Sequence, residues 1–568
     1  MTASPQPPER TVDAVADGYV EAWAAIDPLG ATAAGISGHD AEMTDLSPDG
    51  FAARHELVEK TLTVLAALTP VDEREAVARA AMQERLGVQQ ERYQAGLVDS
   101  ELSVLTSPLH EVRGVFDLMD TDGAQAQDNI AARLAAVPVA LAAWRTTIAR
   151  SAAEGRVTAR RQVLEVAAQA RGWAGARIAG DTGDHIFGRL VAGLDATGTL
   201  RERLARYADE ARGALVETAA FLETELAPRA REQDAVGRET YGLESRYFLG
   251  AEIDLDEAYA WAWAELHRIH QEQVATGQEI VPGGSIADAV AALDADPDSW
   301  IHGSAAFRDW MQVEADAAIT GLAGVHFDIP DPVRRIECRL APTHDGGIYY
   351  TGPSEDFSRP GRMWWSVPHG IERFSPWREL TTVYHEGVPG HHLQIGQTAY
   401  RAELLNRWQR LLCWVSGHGE GWALYAERLM QDLGYLTRPA DRLGMLDGQA
   451  VRAVRVVVDI GMHLQLPIPA DNPFGFHPGE AWTPELMLEL MAAHSQLDDP
   501  TLRFERDRYL GWPGQAPSYK LGERVWLQAR AELQARQGAA HDPRAFHRAA
   551  LDLGSLGLDP LREALRQL

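Results

Sequence analysis

Long segments with a helical pattern of apolar residues dominate the first half of this chain. In these segments, which are rich in Ala, Leu, Glu and Arg, apolar residues recur near the 3.6-residue period of an α-helix. Turn signals such as Asp27-Pro28 and Pro282-Gly283-Gly284 separate them. The pattern predicts a mainly α fold, with helices over residues 11–26, 51–68, 73–97, 127–153, 157–179, 198–226 and 254–276.

The convincing strand patterns fall in one region, residues 334–368. Three short segments there alternate or cluster β-branched and aromatic residues between Gly and Pro breaks. They predict a small antiparallel β-sheet that precedes the metal-binding helix proposed below. An edge strand of this sheet could pair with an extended peptide, although a structural flap is the alternative. The segments are RRIECRLAP (334–342), GGIYYTGP (346–353) and RMWWSVP (362–368).

No repeat and no low-complexity linker marks a domain boundary. A weak break falls near residues 277–290. We therefore predict a helical N-terminal half, residues 1–285, and a metal-binding catalytic half, residues 286–568. The two halves are expected to form one continuous fold around a cleft.

The motif that bears most directly on function is YHEGVPGHHL at residues 384–393. A His followed at once by a Glu, with further histidines close behind, is typical of helix-borne zinc hydrolases. Their usual spacing is H-E-x-x-H, because positions i and i+4 share one helix face. Here the fourth residue after His385 is Pro389, and the next imidazoles are His391 and His392.

Sharing one ion between His385 and a later histidine requires a deformed helix. On an ideal helix His391 would lie about 240° around the axis, and His392 would share the face but lie about 10 Å away. Pro389 and Gly390 favour deformation, since proline removes a backbone donor and glycine tolerates a bulge or kink. A two-residue bulge would bring His391 to the usual fourth position. The alternative is that these histidines only cap a helix end.

A third ligand is available in GHGEGWALYAE, residues 417–427. Zinc hydrolases draw a carboxylate from a second helix and leave the fourth position to water. Glu420 opens a helical segment and is the candidate, although an acidic residue at a helix start could merely complement the macrodipole. The glycines around it allow close backbone approach. Glu427, two turns later, is expected to orient a ligand histidine.

Four segments in this order resemble the family named "domain of unknown function 885": HEGVPGHHLQ, GEGWALYAERL, RVVVDIGMH and PGQAPSYKLGE. Weaker similarity at residues 28–50 and 545–565 extends the resemblance over essentially the whole chain. The family is similar to the helical zinc peptidases, which implies a large zincin-like helical fold with ligands and base in the first motif. The first of its two adjacent histidines is the more regular one, which favours His391 over His392.

The two later motifs supply candidate donors to an oxyanion. Hydrolysis at zinc develops negative charge on the carbonyl oxygen, which a hydrogen-bond donor must face. His463 and Tyr519 are the candidates. Asp459, four residues before His463, could hold that imidazole in one tautomer. A core or capping role for His463, and an ordinary half-buried position for Tyr519, are the alternatives.

Two cations are candidates for substrate binding. Lys60 and Lys520 are the only lysines of a chain with 51 arginines. A compact ammonium at position 520 could clasp a substrate carboxylate, although chance explains the composition as well. Arg455, which opens the third motif, is the second candidate.

The composition limits the partners. A net charge of −29 disfavours a nucleic-acid groove or an anionic membrane surface. Cys338 and Cys413 are too few for a disulfide framework. Residues 1–23 have no basic region followed by an apolar one, and the longest apolar stretch, residues 134–144, is too short to span a bilayer. We predict a cytoplasmic protein that acts on a peptide or small amide.

These observations predict a zinc-dependent hydrolase, with a peptidase of short peptides as the leading hypothesis. His385, His391 and Glu420 would hold Zn²⁺, and Glu386 would activate a zinc-bound water. One alternative is a zinc-dependent hydrolase of a non-peptide amide or ester. The other is a non-catalytic helical protein with a structural metal, against which the intact Glu386 counts.

Overall fold

The fold was determined as a computed structural model that describes residues 11–177, 180–181, 184–341 and 347–567. Most of these residues are helical, so the predicted mainly α class is confirmed. The helices between residues 12 and 322 are α1 (Val12–Ile26), α2 (Pro28–Ala33), α3 (Pro48–Ala67), α4 (Glu73–Gln94), α5 (Pro108–Leu118), α6 (Ala124–Ala153), α7 (Arg160–Trp173), α8 (Ile186–Ala192), α9 (Gly198–Phe221), α10 (Arg238–Leu249), α11 (Leu255–Ile280), α12 (Ile286–Ala295) and α13 (Ser304–Leu322).

The later helices carry the four motifs. They are α14 (Pro376–Glu386), α15 (His391–Tyr400), α16 (Arg407–Leu411), α17 (Ser416–Asp432), α18 (Pro439–Leu464), α19 (Pro484–Ala493), α20 (Asp499–Gly511), α21 (Ser518–Gln537), α22 (Pro543–Asp552) and α23 (Leu558–Arg566).

Each segment predicted to be helical contains a helix, and the ends differ by a few residues. Cap residues explain one such difference. Helix α3 begins at Pro48, three residues before the predicted start, because Ser47 accepts a hydrogen bond from the Gly50 N–H and proline suits the first helical position. The predicted helix over 157–179 ends at Trp173, and residues 178 and 179 lie outside the described residues.

The described strands are short, and they form three small sheets. The strands are β1 (Ala176–Arg177), β2 (Gly180–Asp181), β3 (Ile301–His302), β4 (Ile336–Leu340), β5 (Ile348–Thr351), β6 (Gly361–Trp365) and β7 (Arg373–Phe374). Pairs β1–β2 and β3–β7 are antiparallel.

The sheet that precedes α14 is mixed rather than antiparallel, which corrects the prediction. Its strand order is β4-β6-β5. Strand β5 pairs antiparallel with β6, with Ile348 opposite Trp365, whereas β4 runs parallel to β6, with Ile336 opposite Gly361. Strand β6 lies between the two strands that precede it in the chain, and it is antiparallel to β5 but parallel to β4. Residues 342–346, which adjoin β4 and β5 in the chain, lie outside the described residues.

The chain divides into two compact units whose limits differ from the predicted break near residues 277–290. Unit 1 comprises residues 1–71, 86–236 and 507–512, and unit 2 comprises residues 72–85, 237–506 and 513–568. The reason is packing: α10 contacts α17, α18 and α21, and α11 contacts α18. Residues 237–285 therefore belong with the motifs.

Unit 1 has a continuous apolar core in which α6 packs against α9. On α6, apolar residues at spacings of three and four fill one face: Ile130, Leu134, Val137, Leu141, Trp144 and Ile148. Each of these side chains is buried. This is the pattern from which the helix was predicted.

Unit 2 is centred on α17 and α18, whose residues are buried around most of their circumference. Helix α17 packs closely on α21 because glycines face each other. A Cβ at Gly421 would lie 2.4 Å from the Gly522 carbonyl carbon, and one at Gly522 would lie 2.0 Å from the Gly417 oxygen. Among the described helices of both units, none is long and apolar enough to cross a membrane.

Candidate metal centre

The two halves of the HEGVPGHH motif lie on separate helices. Helix α14 ends at Glu386, and α15 begins at His391. A Cβ at Gly387 would lie 2.5 Å from the Val383 oxygen, and one at Gly390 would lie 1.9 Å from the His385 oxygen. The predicted deformation is present, but it is a complete break between two helices rather than a bulge within one.

Three side chains of unit 2 converge at this break. Glu420 Oε2, on α17, lies 3.3 Å from His385 Nε2 and 3.4 Å from His391 Nε2. One ligand atom from each of the three residues lies within 4.8 Å of the others. The histidine rings are almost perpendicular, at 88°. The structure thus brings together the three residues predicted as ligands.

The donor set fits a zinc ion. Tetrahedral zinc with ligand distances of about 2.0–2.2 Å has ligand atoms about 3.3–3.6 Å apart, which matches both nitrogen–oxygen separations. Glu420 Oε2 is buried and has no hydrogen-bond partner among the described residues. A buried carboxylate oxygen without a partner is costly, and a cation between it and the two imidazoles would satisfy it.

A second carboxylate orients His385. Glu427 Oε1 lies 2.7 Å from His385 Nδ1, and Glu427 Oε2 accepts a hydrogen bond from the Thr381 hydroxyl at 2.7 Å. Because a carboxylate accepts the Nδ1 proton, the ring turns Nε2 towards Glu420, and this nitrogen is the one that a metal ion would bind. The predicted contact of Glu427 with a ligand histidine is confirmed.

Charges in this cluster depend on each other. Burial disfavours a charged His385, but the carboxylates of Glu420 and Glu427 beside it outweigh burial and raise its pKa to about 10. Burial likewise opposes a charged Glu420, yet His391 and His385 hold the pKa of this carboxyl well below its usual range. A cation that binds here must therefore displace the proton that His385 holds.

Glu386 is buried beside these ligands. Burial raises its pKa, and the charges of His391 and His385 act in the opposite direction without cancelling that effect. Its Oε2 atom is buried and has no hydrogen-bond partner among the described residues. A carboxylate in this state can accept a proton, and its role as a general base stays a prediction.

His392 is engaged elsewhere. Its Nδ1 accepts a hydrogen bond from the Tyr350 hydroxyl at 2.9 Å, and its Nε2 donates to the Val333 oxygen at 2.7 Å. Burial lowers its pKa to about 4, so the ring is neutral. The structure therefore places His391, and not His392, in the cluster with His385 and Glu420.

Tyr519 lies next to the cluster and is only partly buried. Its ring centroid is 6.5 Å from that of His385, and the planes differ by 22°. The Arg455 guanidinium carbon lies 4.9 Å from the Tyr519 ring centroid, and Arg455 also forms an ion pair with Glu505 at 2.9 Å. Substrate binding by Arg455 stays a prediction, and its observed contact holds the phenol ring in place.

His463 occupies the interior of unit 2, which does not support its predicted role as an oxyanion donor. Its side chain has no exposed surface, and its ring stacks on Tyr241 at 5.6 Å. The predicted bond to Asp459 is too long, at 3.9 Å. Asp459 instead accepts hydrogen bonds from the Tyr241 hydroxyl and the Gly514 N–H. A fully enclosed imidazole presents no surface to a substrate, so the core role fits His463.

The predicted carboxylate clasp at Lys520 is wrong. Lys520 is 1% exposed, and its Nζ atom lies 2.5 Å from Gln449 Oε1, 3.1 Å from Glu265 Oε1 and 2.5 Å from Glu523 Oε2. The ammonium is enclosed by oxygens of α11, α18 and α21. It therefore ties three helices together and has no surface left for a substrate.

Two further contacts near the centre were missed in the sequence. The Trp422 indole donates to the Pro389 oxygen at 2.8 Å, which ties α17 to the break between α14 and α15. Gln394 Nε2 lies 2.8 Å from His418 Nδ1, which ties α15 to α17. The sequence offered a weak signal for the second contact, since Gln394 lies three residues after His391 and His418 lies two residues before Glu420.

Comparison with known proteins supports the family resemblance. The model of the family described as "Bacterial protein of unknown function (DUF885)" matches residues 28–565. No curated protein matches the sequence.

Solved structures that are similar to this chain include two putative lipoproteins. One is a putative lipoprotein from Colwellia psychrerythraea, with a TM-score of 0.83, 21% identity, and 98% of this chain and 99% of that chain covered. Another is a putative lipoprotein of unknown function from Shewanella oneidensis, with a TM-score of 0.72, 16% identity and the same coverage. These similarities establish a common fold.

Proposed function

We propose that this chain, which belongs to the family of bacterial proteins of unknown function DUF885, is a zinc-dependent peptidase that acts on short peptides. The observation that carries the proposal is the convergence of His385, His391 and Glu420 within 4.8 Å of one another. Glu386 is buried next to them and keeps one carboxylate oxygen without a partner among the described residues. A purely structural metal site would not need this additional carboxylate.

Zinc suits this donor set. Two imidazoles and one carboxylate are the protein ligands of several catalytic zinc sites, in which the fourth position stays open. Zinc bound here would lower the pKa of a water molecule and polarise a substrate carbonyl. A substrate must be able to reach the metal, and the Glu420 side chain keeps 16% of its surface exposed.

Glu386 and Tyr519 have separate roles in this proposal. Glu386 accepts a proton from the attacking water at a carboxylate oxygen and then donates it to the leaving amine. Burial raises the pKa of Glu386, which makes this carboxylate a stronger base than an exposed one. The Tyr519 hydroxyl donates a hydrogen bond to the oxyanion, and Arg455 keeps the phenol ring in position.

Strand β5 is the proposed site of substrate pairing. Among the described strands it lies at an edge of its sheet, and its Tyr350 hydrogen-bonds to His392, the neighbour of His391. The other edge strand, β4, is already bonded by the Gln312 side chain at the Ile336 oxygen and the Cys338 N–H. An extended peptide paired with β5 would gain main-chain hydrogen bonds beside the metal centre.

The cytoplasmic location and the absence of nucleic-acid or membrane partners stay predictions. They rest on the net charge of −29 and on the presence of only two cysteines in the sequence. The similar structures from Colwellia psychrerythraea and Shewanella oneidensis are named putative lipoproteins, and that name applies to those two proteins.

Metal analysis and cleavage of a peptide library by the purified protein test the proposed function. We expect about one zinc per chain and cleavage that a chelator abolishes and added zinc restores. Cleavage of small amides or esters, with peptides left intact, would favour the non-peptide hydrolase. Bound zinc without hydrolysis of any of these compounds would favour a structural metal.

Replacement of each adjacent histidine separates the ligand from its neighbour. We expect His391→Ala to lose most of the zinc, because Nε2 of His391 is one of the three converging atoms. His392→Ala should keep most of it, because both ring nitrogens of His392 bond to other residues. Elemental analysis after gel filtration gives the zinc content. The reverse order of metal loss would contradict the ligand assignment.

Tyr519→Phe is expected to lower kcat by about 10²–10³-fold, the usual effect of removing one oxyanion donor. Zinc content should not change, because the ring stays over His385 and loses only its hydroxyl. Steady-state kinetics and elemental analysis of the same preparation provide the two values. An unchanged kcat would remove Tyr519 from the mechanism without affecting the metal site.

A further inference from the structure

Trp414 is an exposed aromatic residue beside the candidate metal centre. Its side chain is 47% exposed, and its ring centroid lies 5.8 Å from that of His391. Single exposed apolar side chains are common on protein surfaces and need no functional explanation. Trp414 differs because a proposed metal ligand is its neighbour.

The backbone around Trp414 is anchored, so its outward position is built into the fold. Its neighbours Cys413 and Val415 are both buried. The Cys413 thiol donates to the Ser555 oxygen at 3.0 Å, and the Val415 N–H donates to the Ser555 hydroxyl at 3.2 Å. Val415 is extended, with φ −126° and ψ 117°. Trp414 is therefore the residue of this anchored segment that points outward.

The indole is also fixed relative to Glu420. A Cβ at Gly419 would lie 2.3 Å from a carbon of the six-membered ring of Trp414, and two other ring carbons would lie within 3.0 Å. The ring thus rests directly on the backbone of Gly419, the residue before Glu420. A larger residue at position 419 would displace it. Trp414 consequently keeps a set position relative to two of the three proposed ligands.

We propose that Trp414 forms a binding subsite for a large apolar or aromatic substrate side chain next to the scissile bond. This inference rests on the proposed peptidase function and adds its substrate class. A rigid indole with half its surface in water gains stabilisation when an apolar side chain covers it. Because His391 is a proposed metal ligand, an indole 5.8 Å from its ring can contact a substrate held at the metal. The preferred substrates are therefore short peptides with Phe, Tyr, Trp or Leu at that bond.

Peptide binding to the zinc-loaded Glu386→Gln protein tests the subsite without turnover. The probes are the tetrapeptides Gly-Phe-Phe-Gly, Gly-Ala-Ala-Gly and Gly-Lys-Lys-Gly, which place the same side chain on both sides of the central bond. Isothermal titration calorimetry measures each Kd, and chromatography verifies that the peptides remain intact. In the same background, Trp414→Ala removes the ring and Trp414→Phe keeps an aromatic surface. Tyr400→Ala is the matched control, since Tyr400 is 38% exposed and lies near Phe357 and Arg401.

We expect the Glu386→Gln protein that retains Trp414 to bind the Phe peptide with a Kd at least about tenfold lower than that of the Ala peptide. Trp414→Ala should reduce this preference to about threefold or less, whereas Trp414→Phe and Tyr400→Ala should retain most of it. Zinc content and circular dichroism should be the same in all variants, because the replaced side chains are exposed.

Three results would overturn the subsite. The first is a preference for the Phe peptide that survives Trp414→Ala. The second is equal binding, or no binding, of all three peptides by the Glu386→Gln protein that retains Trp414. The third is that this protein binds the Lys peptide most tightly and loses that binding in Trp414→Ala, which would indicate a surface for cations. Failure of the proposed function is a separate result. In that case the protein with Glu386 would cleave none of the peptides, although Trp414-dependent binding of the Phe peptide persisted.

Discussion

Glu386→Gln is expected to lower kcat by about 10²–10⁴-fold while the zinc content and the fold remain those of the unsubstituted protein. Gln has nearly the same shape as Glu but cannot accept the proton of the attacking water. Burial already raises the pKa of Glu386. Removal of its charge should therefore not weaken the fold, because the charges of His391 and His385 offset the cost of burying this carboxylate only in part.

A second glutamate on the same helix provides the control for this variant. Glu379 lies two turns before Glu386 on α14, and its pKa is raised to about 7 by burial. Glu379→Gln makes the same chemical change without touching a proposed ligand, and we expect kcat to stay within about twofold. Steady-state kinetics with a cleaved library peptide and elemental analysis give both quantities. A zinc-loaded Glu386→Gln protein with full kcat would refute Glu386 as the base.

The arrangement of the two ligand histidines was predictable in part. The sequence indicated that Pro389 and Gly390 deform the helix between His385 and His391. It did not indicate that the helix ends at Glu386 and a new one begins at His391. That geometry depends on contacts between residues distant in sequence, such as the bond from Trp422 to the Pro389 oxygen.

Roles that depend on helix neighbours could not be derived from local patterns. The contact of Glu427 with His385 was predicted from its position two turns after Glu420. Lys520 and His463 were assigned to a substrate because their residue types suit one. Both are enclosed by other helices of unit 2, and local periodicity does not identify which helices pack together.

The fold shows the same division between local and distant effects. Helices such as α6 were predicted well, since the 3.6-residue period is a local property. The parallel pairing of β4 with β6 was missed, because it depends on the position of β6 between two earlier strands. Residues 72–85 and 507–512 belong to units different from those of their sequence neighbours, and packing alone determines this.

Lys520→Met is expected to lower the free energy of unfolding of unit 2 by about 3–5 kcal/mol, because it removes one partner of a buried ion pair. Methionine fills a similar volume, so packing is largely preserved. The carboxylate of Glu523, whose side chain is 3% exposed, loses the ammonium at 2.5 Å. Glu265 is affected less, since Arg268 still contacts it at 2.7 Å through two hydrogen bonds.

The other lysine of the chain is the matched control. Lys60 forms an ion pair with Glu56, and the two side chains are 69% and 62% exposed. Lys60→Met should therefore leave the unfolding midpoint unchanged within error, as is usual for surface pairs. Urea and thermal unfolding followed by circular dichroism provide the comparison. A Lys520→Met protein as stable as the Lys60→Met protein would contradict the structural role of Lys520.

The pH dependence of the stability of Lys520→Met identifies which carboxyl group causes its lower free energy of unfolding. In the unsubstituted protein burial raises the pKa of Glu523, and Lys520 is the main cation that lowers it. Without Lys520 the pKa rises further above its value in the unfolded chain. A carboxyl pKa that is higher in the fold than in the unfolded chain destabilises the fold at pH values above the unfolded-state pKa, and this effect shrinks as the pH falls towards that value.

The stability difference between Lys520→Met and the unsubstituted protein should therefore shrink as the pH falls from about 8 to about 5. Adding Glu523→Gln to Lys520→Met should recover part of the loss near pH 8, because no uncompensated charge then remains at position 523. A difference that does not vary with pH, together with no recovery in the double variant, would mean that packing around the lysine stem, rather than its charge, holds α11, α18 and α21 together.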